Sequence, residues 1–210
     1  MTELLHTFIS SFFDGIIPKS HVKFLTTKKS LAFLQSCFVA PSANAVVNYE
    51  FMEQLGDVSA NKFLVWYFYE RFPFLRCPTG VKIVARLKIN YASRASFATL
   101  SRKLGFEKFI QASDEDKNHR LEELLEDVFE AFVGGIELVL NDRGQTNGTR
   151  AIEAFLKKVF DDVDVSLAYR DLYDAKTRLK EIMDKHPSLG RLKYSEKRGD
   201  GFVKSVITLS

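Results

Sequence analysis

The stretch that most constrains the fold runs from Asn48 to Phe72, NYEFMEQLGDVSANKFLVWYFYERF, and reads as one long helix. Beyond Lys62 it is apolar nearly all round, through Phe63, Leu64, Val65, Trp66, Tyr67 and Phe68. A helix without a polar face belongs in the middle of a bundle. Its first half nevertheless carries Glu53 and Asp57 one turn apart, a spacing that stacks both side chains on one face. Two like charges there repel unless a cation sits between them. Gly56 lies beside them, at a cost of about 1 kcal/mol relative to alanine in a helix. That cost is explained if another backbone comes close at this point.

A second stretch, Leu121 to Leu140, LEELLEDVFEAFVGGIELVL, has the same character. Asp127 and Glu130 share a face, beside an apolar stripe of Leu121, Leu124, Leu125, Val128, Phe132 and Ile136 that would bury one side of the helix. If the two helices pack together, four carboxylates converge. Acidic residues at such spacings are in isolation most often solvated surface. Here neither pair has a lysine or arginine four residues on to balance it, and both border apolar stripes. Glu50 adds charge to the first helix as a supporting acid. Glu123 and Glu126 on the second read as solvated, and His119 and His186 read as lone surface histidines.

The chain of 210 residues has room for one good-sized domain and a small one, and 46% apolar with 27% charged residues excludes a disordered or fibrous class. A net charge of +3 permits a nucleic-acid partner without demanding one. Cys37 and Cys77 have neither metal-ligand spacing nor the density of a secreted disulfide framework, so free thiols in a reducing compartment are expected. No apolar run approaches the ~18 residues needed to span a bilayer. The N-terminus, MTELLHTF, lacks the basic start and cleavage site of a secretory signal. An intracellular, soluble protein is expected, without membrane partners, and in the cytoplasm rather than the nucleus.

Helices are predicted over 3–13, 28–38, about 49–72, 80–104, from a cap at Ser113 to about Asn141, and over 149–160, with the turn-rich segment 142–148 between the last two. The 80–104 segment shows a basic face of Lys82, Arg86, Lys88, Arg94, Arg102 and Lys103, for which solvation and phosphate contact both stay open. No strand pattern precedes residue 190. From Tyr173 a short helix, YDAKTRLKEIMDKH, leads into two alternating segments, RLKYSEK and GFVKSVITLS, joined at Arg198-Gly199-Asp200-Gly201.

The two acidic segments resemble the motifs of the ribonuclease III family, which cuts double-stranded RNA. YEFMEQLGD is similar to the family's N-E-x-L-E-F-L-G-D, and DVFEAFVGG to its D-x-x-E-A-x-x-G-x; FATLSRKLGF, between them, looks like a further family helix ending. The resemblance implies a mainly α fold: an all-helical ribonuclease III-like domain over 1–165, a linker over 166–172, and a partial α-β-β piece of a double-stranded RNA-binding domain over 173–210. It implies that Glu53, Asp57, Asp127 and Glu130 are the catalytic, metal-holding acids. The metal would be magnesium, with manganese as substitute, in a two-ion hydrolysis whose ions stand about 4 Å apart. The expected products carry 5′-phosphates, 3′-hydroxyls and short 3′ overhangs. In the small domain the resemblance carries over Lys176, Thr177 and Glu181 as RNA-binding candidates.

Two departures temper the resemblance. The loop between the strands reads RGDGF where the family has R-G-P-x-H, and the pattern stops at Ser210 after the second strand, so an incomplete module is expected. Gln54 stands where the family has a phenylalanine that enters a partner subunit. A homodimer is still expected, with a heterodimer as the alternative. The second functional reading is a non-catalytic ribonuclease III-like scaffold or double-stranded RNA-binding subunit.

Overall fold

The computed structural model describes residues 1–144, 146–199 and 202–210. The chain divides into two compact units, Met1–Asp164 and Val165–Ser210.

The first unit is helical: α1 Thr2–Phe13, α2 Lys19–Leu25, α3 Lys28–Ser36, α4 Glu50–Arg71, α5 Gly80–Tyr91, α6 Arg94–Leu104, α7 Asp114–His119, α8 Leu121–Asn141 and α9 Asn147–Asp161. Its centre is α8, which packs against α4, α6 and α9. From Leu124 to Leu140 nearly every residue of α8 is buried. The small side chains of Ala131, Gly134 and Gly135 let neighbours in on several sides. A phenylalanine cluster fills the space around it: Phe97 stacks on Phe129 at 4.8 Å between ring centroids, and Phe132 meets Phe106 at 5.0 Å and Phe155 at 5.6 Å.

This arrangement corrects the expectation that the 49–72 helix is the middle of the bundle. Along α4, Val65, Trp66 and Tyr69 are 44%, 55% and 45% exposed. An apolar circumference is necessary for a central helix but does not by itself make one, and the glycine-bearing α8 takes that place.

Three other boundaries differ from the sequence reading. The predicted helix 80–104 is two, because Ser93 leaves helical geometry and its hydroxyl accepts from the Ser96 N–H, capping α6. The helix expected from Ser113 to Asn141 is also two, with Arg120 at φ −129° between α7 and α8. Pro18, read as a stop, also stands at the start of α2, which the sequence reading missed. Ser113 does cap α7, accepting from the Asp116 N–H. Gln145, in the predicted turn 142–148, lies outside the described residues.

The second unit holds α10 Tyr169–Leu172, α11 Ala175–Lys185 and a two-stranded antiparallel sheet, β1 Leu192–Gly199 with β2 Phe202–Leu209. The register runs from Leu192 opposite Leu209 to Gly199 opposite Phe202. The predicted joint at Asp200-Gly201 lies outside the described residues. Asp174 caps α11 by accepting from the Thr177 N–H at 2.9 Å. Among the described residues no helix is long and apolar enough to cross a membrane.

Candidate active site

Glycine sets the distance between α4 and α8. A Cβ on Gly56 would strike the backbone carbonyl of Glu130, and a Cβ on Gly134 would strike the carbonyl of Met52. The backbones therefore touch where Gly56 meets Glu130, and the acids flanking Gly56 face those of α8. Glu53, Asp57 and Asp127 are half-buried, and Glu130 is 7% exposed.

The electrostatics report the same convergence. Glu130 is pushed up to about 9, first by burial and then by the negative charges of Asp57, Glu126, Glu53 and Asp127. Glu53 is pushed up to about 7, first by burial, then by Asp127, Glu50, Glu126 and Asp57. Asp127 is raised too, mainly by burial, against the lowering effect of a hydrogen bond. Each helix thus feels the carboxylates of the other, across more than seventy residues of sequence.

The structure brings the four acids into one field without forming a finished cage. Among the described residues no group of three or more His, Cys, Asp or Glu side chains is gathered closely enough to hold an ion unaided. Like charges favour such a spread arrangement. The donor set nevertheless suits a hard divalent cation: it is all oxygen, and magnesium takes one or two protein carboxylates with waters and substrate phosphate completing its shell.

Neighbouring side chains fix some of these acids. The Tyr49 hydroxyl donates to Asp127 Oδ2 at 2.6 Å, and Asn61 Nδ2 donates to Asp57 Oδ1 at 2.6 Å. Sequence reasoning missed both. Asn61 was accessible to it, one turn beyond Asp57; Tyr49 was not, since its partner is 78 residues away. Glu123 and Glu126, read as solvated, are ion-paired: Arg120 meets Glu123, and Arg94 Nε meets Glu126 at 2.6 Å. Arg102 pairs with Glu122. Two cations of the predicted basic face, Arg94 and Arg102, are thus turned toward the acids of α8.

The candidates of the second unit have local partners. Lys176 Nζ lies 4.8 Å from the Tyr194 ring centroid. The Thr177 hydroxyl donates to Asp174 Oδ2 at 2.6 Å, and Glu181 accepts from the Tyr169 hydroxyl. His119 and His186 are exposed.

Comparison with known proteins places the chain in a family. The family profile described as Ribonuclease III domain matches residues 50–141, which span α4 to α8 and all four acids. A protein of Invertebrate iridescent virus 6, provisionally named ribonuclease 3, is 39% identical over 201 residues, 89% of this chain and 69% of its own length. A similarly named protein of Frog virus 3 is 44% identical over 82% of this chain, which spans 47% of it. The ribonuclease 3 of Limosilactobacillus reuteri is 30% identical over 73% of this chain and 63% of its own length. In fold, the chain is similar to the nuclease domain of ribonuclease III from Campylobacter jejuni, with a TM-score of 0.52 at 22% identity, covering 66% of this chain and 94% of that one. With close to nine-tenths of the chain aligned to a relative at 39% identity, the protein belongs to the ribonuclease III family.

Proposed function

We propose that this protein is a divalent-cation-dependent endoribonuclease that cleaves double-stranded RNA, with Glu53, Asp57, Asp127 and Glu130 holding the ions. The observation that carries this reading is the electrostatic effect that the neighbouring carboxylates exert on Glu53 and Glu130 across the α4–α8 contact. Negative charges pressed together on buried helix faces destabilise the fold unless they serve to bind something positive. Magnesium fits this all-oxygen set best, with manganese as substitute.

Bound ions would supply an activated water and neutralise charge on the departing 3′-oxygen. The protein's part is to hold that charge in place. Burial of Glu130 and the α4–α8 contact fix where the carboxylates stand, and Asn61 and Tyr49 restrain Asp57 and Asp127. Recognition by basic side chains that follow the backbone, without base reading, suits A-form RNA. Products with 5′-phosphates, 3′-hydroxyls and short 3′ overhangs follow if two copies place their sites across one duplex. An exposed apolar face on α4 supports such pairing: Phe51 is 75%, Val58 59% and Trp66 55% exposed, beside an exposed Gln54. A partner of a different sequence is the alternative. Residues 173–210 are read as the opening α-β-β of a double-stranded RNA-binding domain.

The test is cleavage of end-labelled duplex RNA by the purified chain with magnesium. Cutting that a chelator stops, that spares single strands, and that falls by at least about a thousandfold in Asp127→Asn supports the enzyme. Binding of duplex without cutting would favour a non-catalytic RNA-binding subunit.

A further inference from the structure

Tyr49 stands at the start of α4, at the position where the family motif has asparagine, and is 4% exposed. Three hydrogen bonds pin it. Its N–H donates to the Val39 carbonyl at 3.0 Å, and its own carbonyl accepts from the Glu53 N–H at 2.9 Å. Its hydroxyl donates to Asp127 Oδ2 at 2.6 Å.

The Val39 anchor is itself fixed. Val39 forms an isolated parallel bridge with Gln111, flanked by hydrogen bonds of 2.8 Å from the Ala40 N–H to the Gln111 carbonyl and from the Gln111 N–H to the Phe38 carbonyl. With its backbone held and its ring buried, Tyr49 presents the hydroxyl in one direction. A buried hydroxyl without a partner is costly, so the bond to Asp127 is not readily given up. One residue thus ties the turn that carries Glu53 to the side chain of Asp127.

We propose that Tyr49 is a positioning residue for cation capture, engaging Oδ2 of Asp127 so that the carboxylate keeps one orientation and offers Oδ1 to the ion. The inference rests on the reading of the four carboxylates as cation ligands. A bond from a hydroxyl to a carboxylate is charge-assisted and short, which makes it a strong orienting contact. Partners that orient ligating side chains typically change metal affinity 10–100-fold when removed, roughly the loss expected here.

Calorimetric titration of the full chain with manganese tests this, comparing wild type, Asp127→Asn, Tyr49→Phe and Tyr67→Phe. Tyr67 is a control on the same helix: its hydroxyl donates to the Phe160 carbonyl at 2.9 Å, away from the four acids. Tyr49→Phe is expected to weaken manganese binding by about 10–100-fold while keeping the wild-type circular dichroism spectrum, and Tyr67→Phe to leave binding unchanged. Duplex cleavage by Tyr49→Phe should need correspondingly more manganese, with kcat at saturation close to wild type. Manganese affinity in Tyr49→Phe within about twofold of wild type, or an equal loss in Tyr67→Phe, overturns the role of Tyr49 and leaves the metal site standing. A Tyr49→Phe chain that does not fold assigns the hydroxyl to core stability and also overturns it. Absence of any manganese binding that depends on Asp127 removes the metal reading and this inference together.

Discussion

Glu130 and Glu137 lie two turns apart on α8 and meet opposite surroundings. Glu137 is 9% exposed and accepts hydrogen bonds from the hydroxyls of Ser59 at 2.6 Å and Thr149 at 2.8 Å. Glu130 is as deeply placed, but its charged neighbours are other acids. Folded Glu130 keeps its proton up to about 9, whereas the unfolded chain releases it near 4.5. Between those values the folded state binds more protons, so the stability Glu130 contributes in protonated form is full below 4.5 and is lost as pH rises toward 9. In chelator, the thermal unfolding midpoint is therefore expected to fall between about pH 5.5 and about pH 8.5, with Glu53 adding to the slope. Glu130→Gln should flatten that slope and raise the midpoint at the alkaline end by a few degrees, read by circular dichroism. A slope unchanged by the substitution would show that Glu130 does not hold its proton as assigned. That each pair of acids shares one helix face was legible in the sequence because helical spacing is local; that the two pairs form one site was implied by the family resemblance. The hydroxyl that restrains Asp127 was not, because no rule of spacing links a tyrosine to a carboxylate across so much intervening chain.

At the scale of elements, the α4–α8 contact reverses an ordinary expectation. Glycine in a helix interior normally costs about 1 kcal/mol against alanine, so Gly→Ala is usually stabilising. At Gly56 the added methyl would meet the Glu130 backbone, which cannot swing aside as a side chain can. Gly56→Ala is expected to lower stability by about 3 kcal/mol or more, measured by urea unfolding, and to weaken manganese binding by moving one pair of acids from the other. A stabilised Gly56→Ala would mean that the helices stand further apart. The close approach at Gly56 was readable, because an internal glycine beside paired acids needs a reason. Other features were hidden by periodicity itself: the apolar pattern runs through Ser93 and Arg120, and only a serine cap and an irregular residue divide the helices there. The placement of α4 was misjudged because composition tells what a helix could bury and not what its neighbours leave uncovered.

At the scale of the molecule, the two units differ in how they are secured. The first is organised round a helix buried along most of its length, while β1 and β2 are exposed at nearly every position. A two-stranded sheet has little independent stability. Hydrogen exchange on the full chain should show amides of β1 and β2 exchanging at least about a hundredfold faster than those of α8. Comparable protection in both would contradict this ranking. At Gly56 and Gly134 the α4 and α8 backbones touch. With main chain already against main chain, the crossing can open but has no room to tighten. If the acids hold an ion as proposed, discrimination between a small ion and a larger one would fall to side-chain torsions above a rigid floor, and any element that pries the helices apart would relax the choice of ion before it abolished capture.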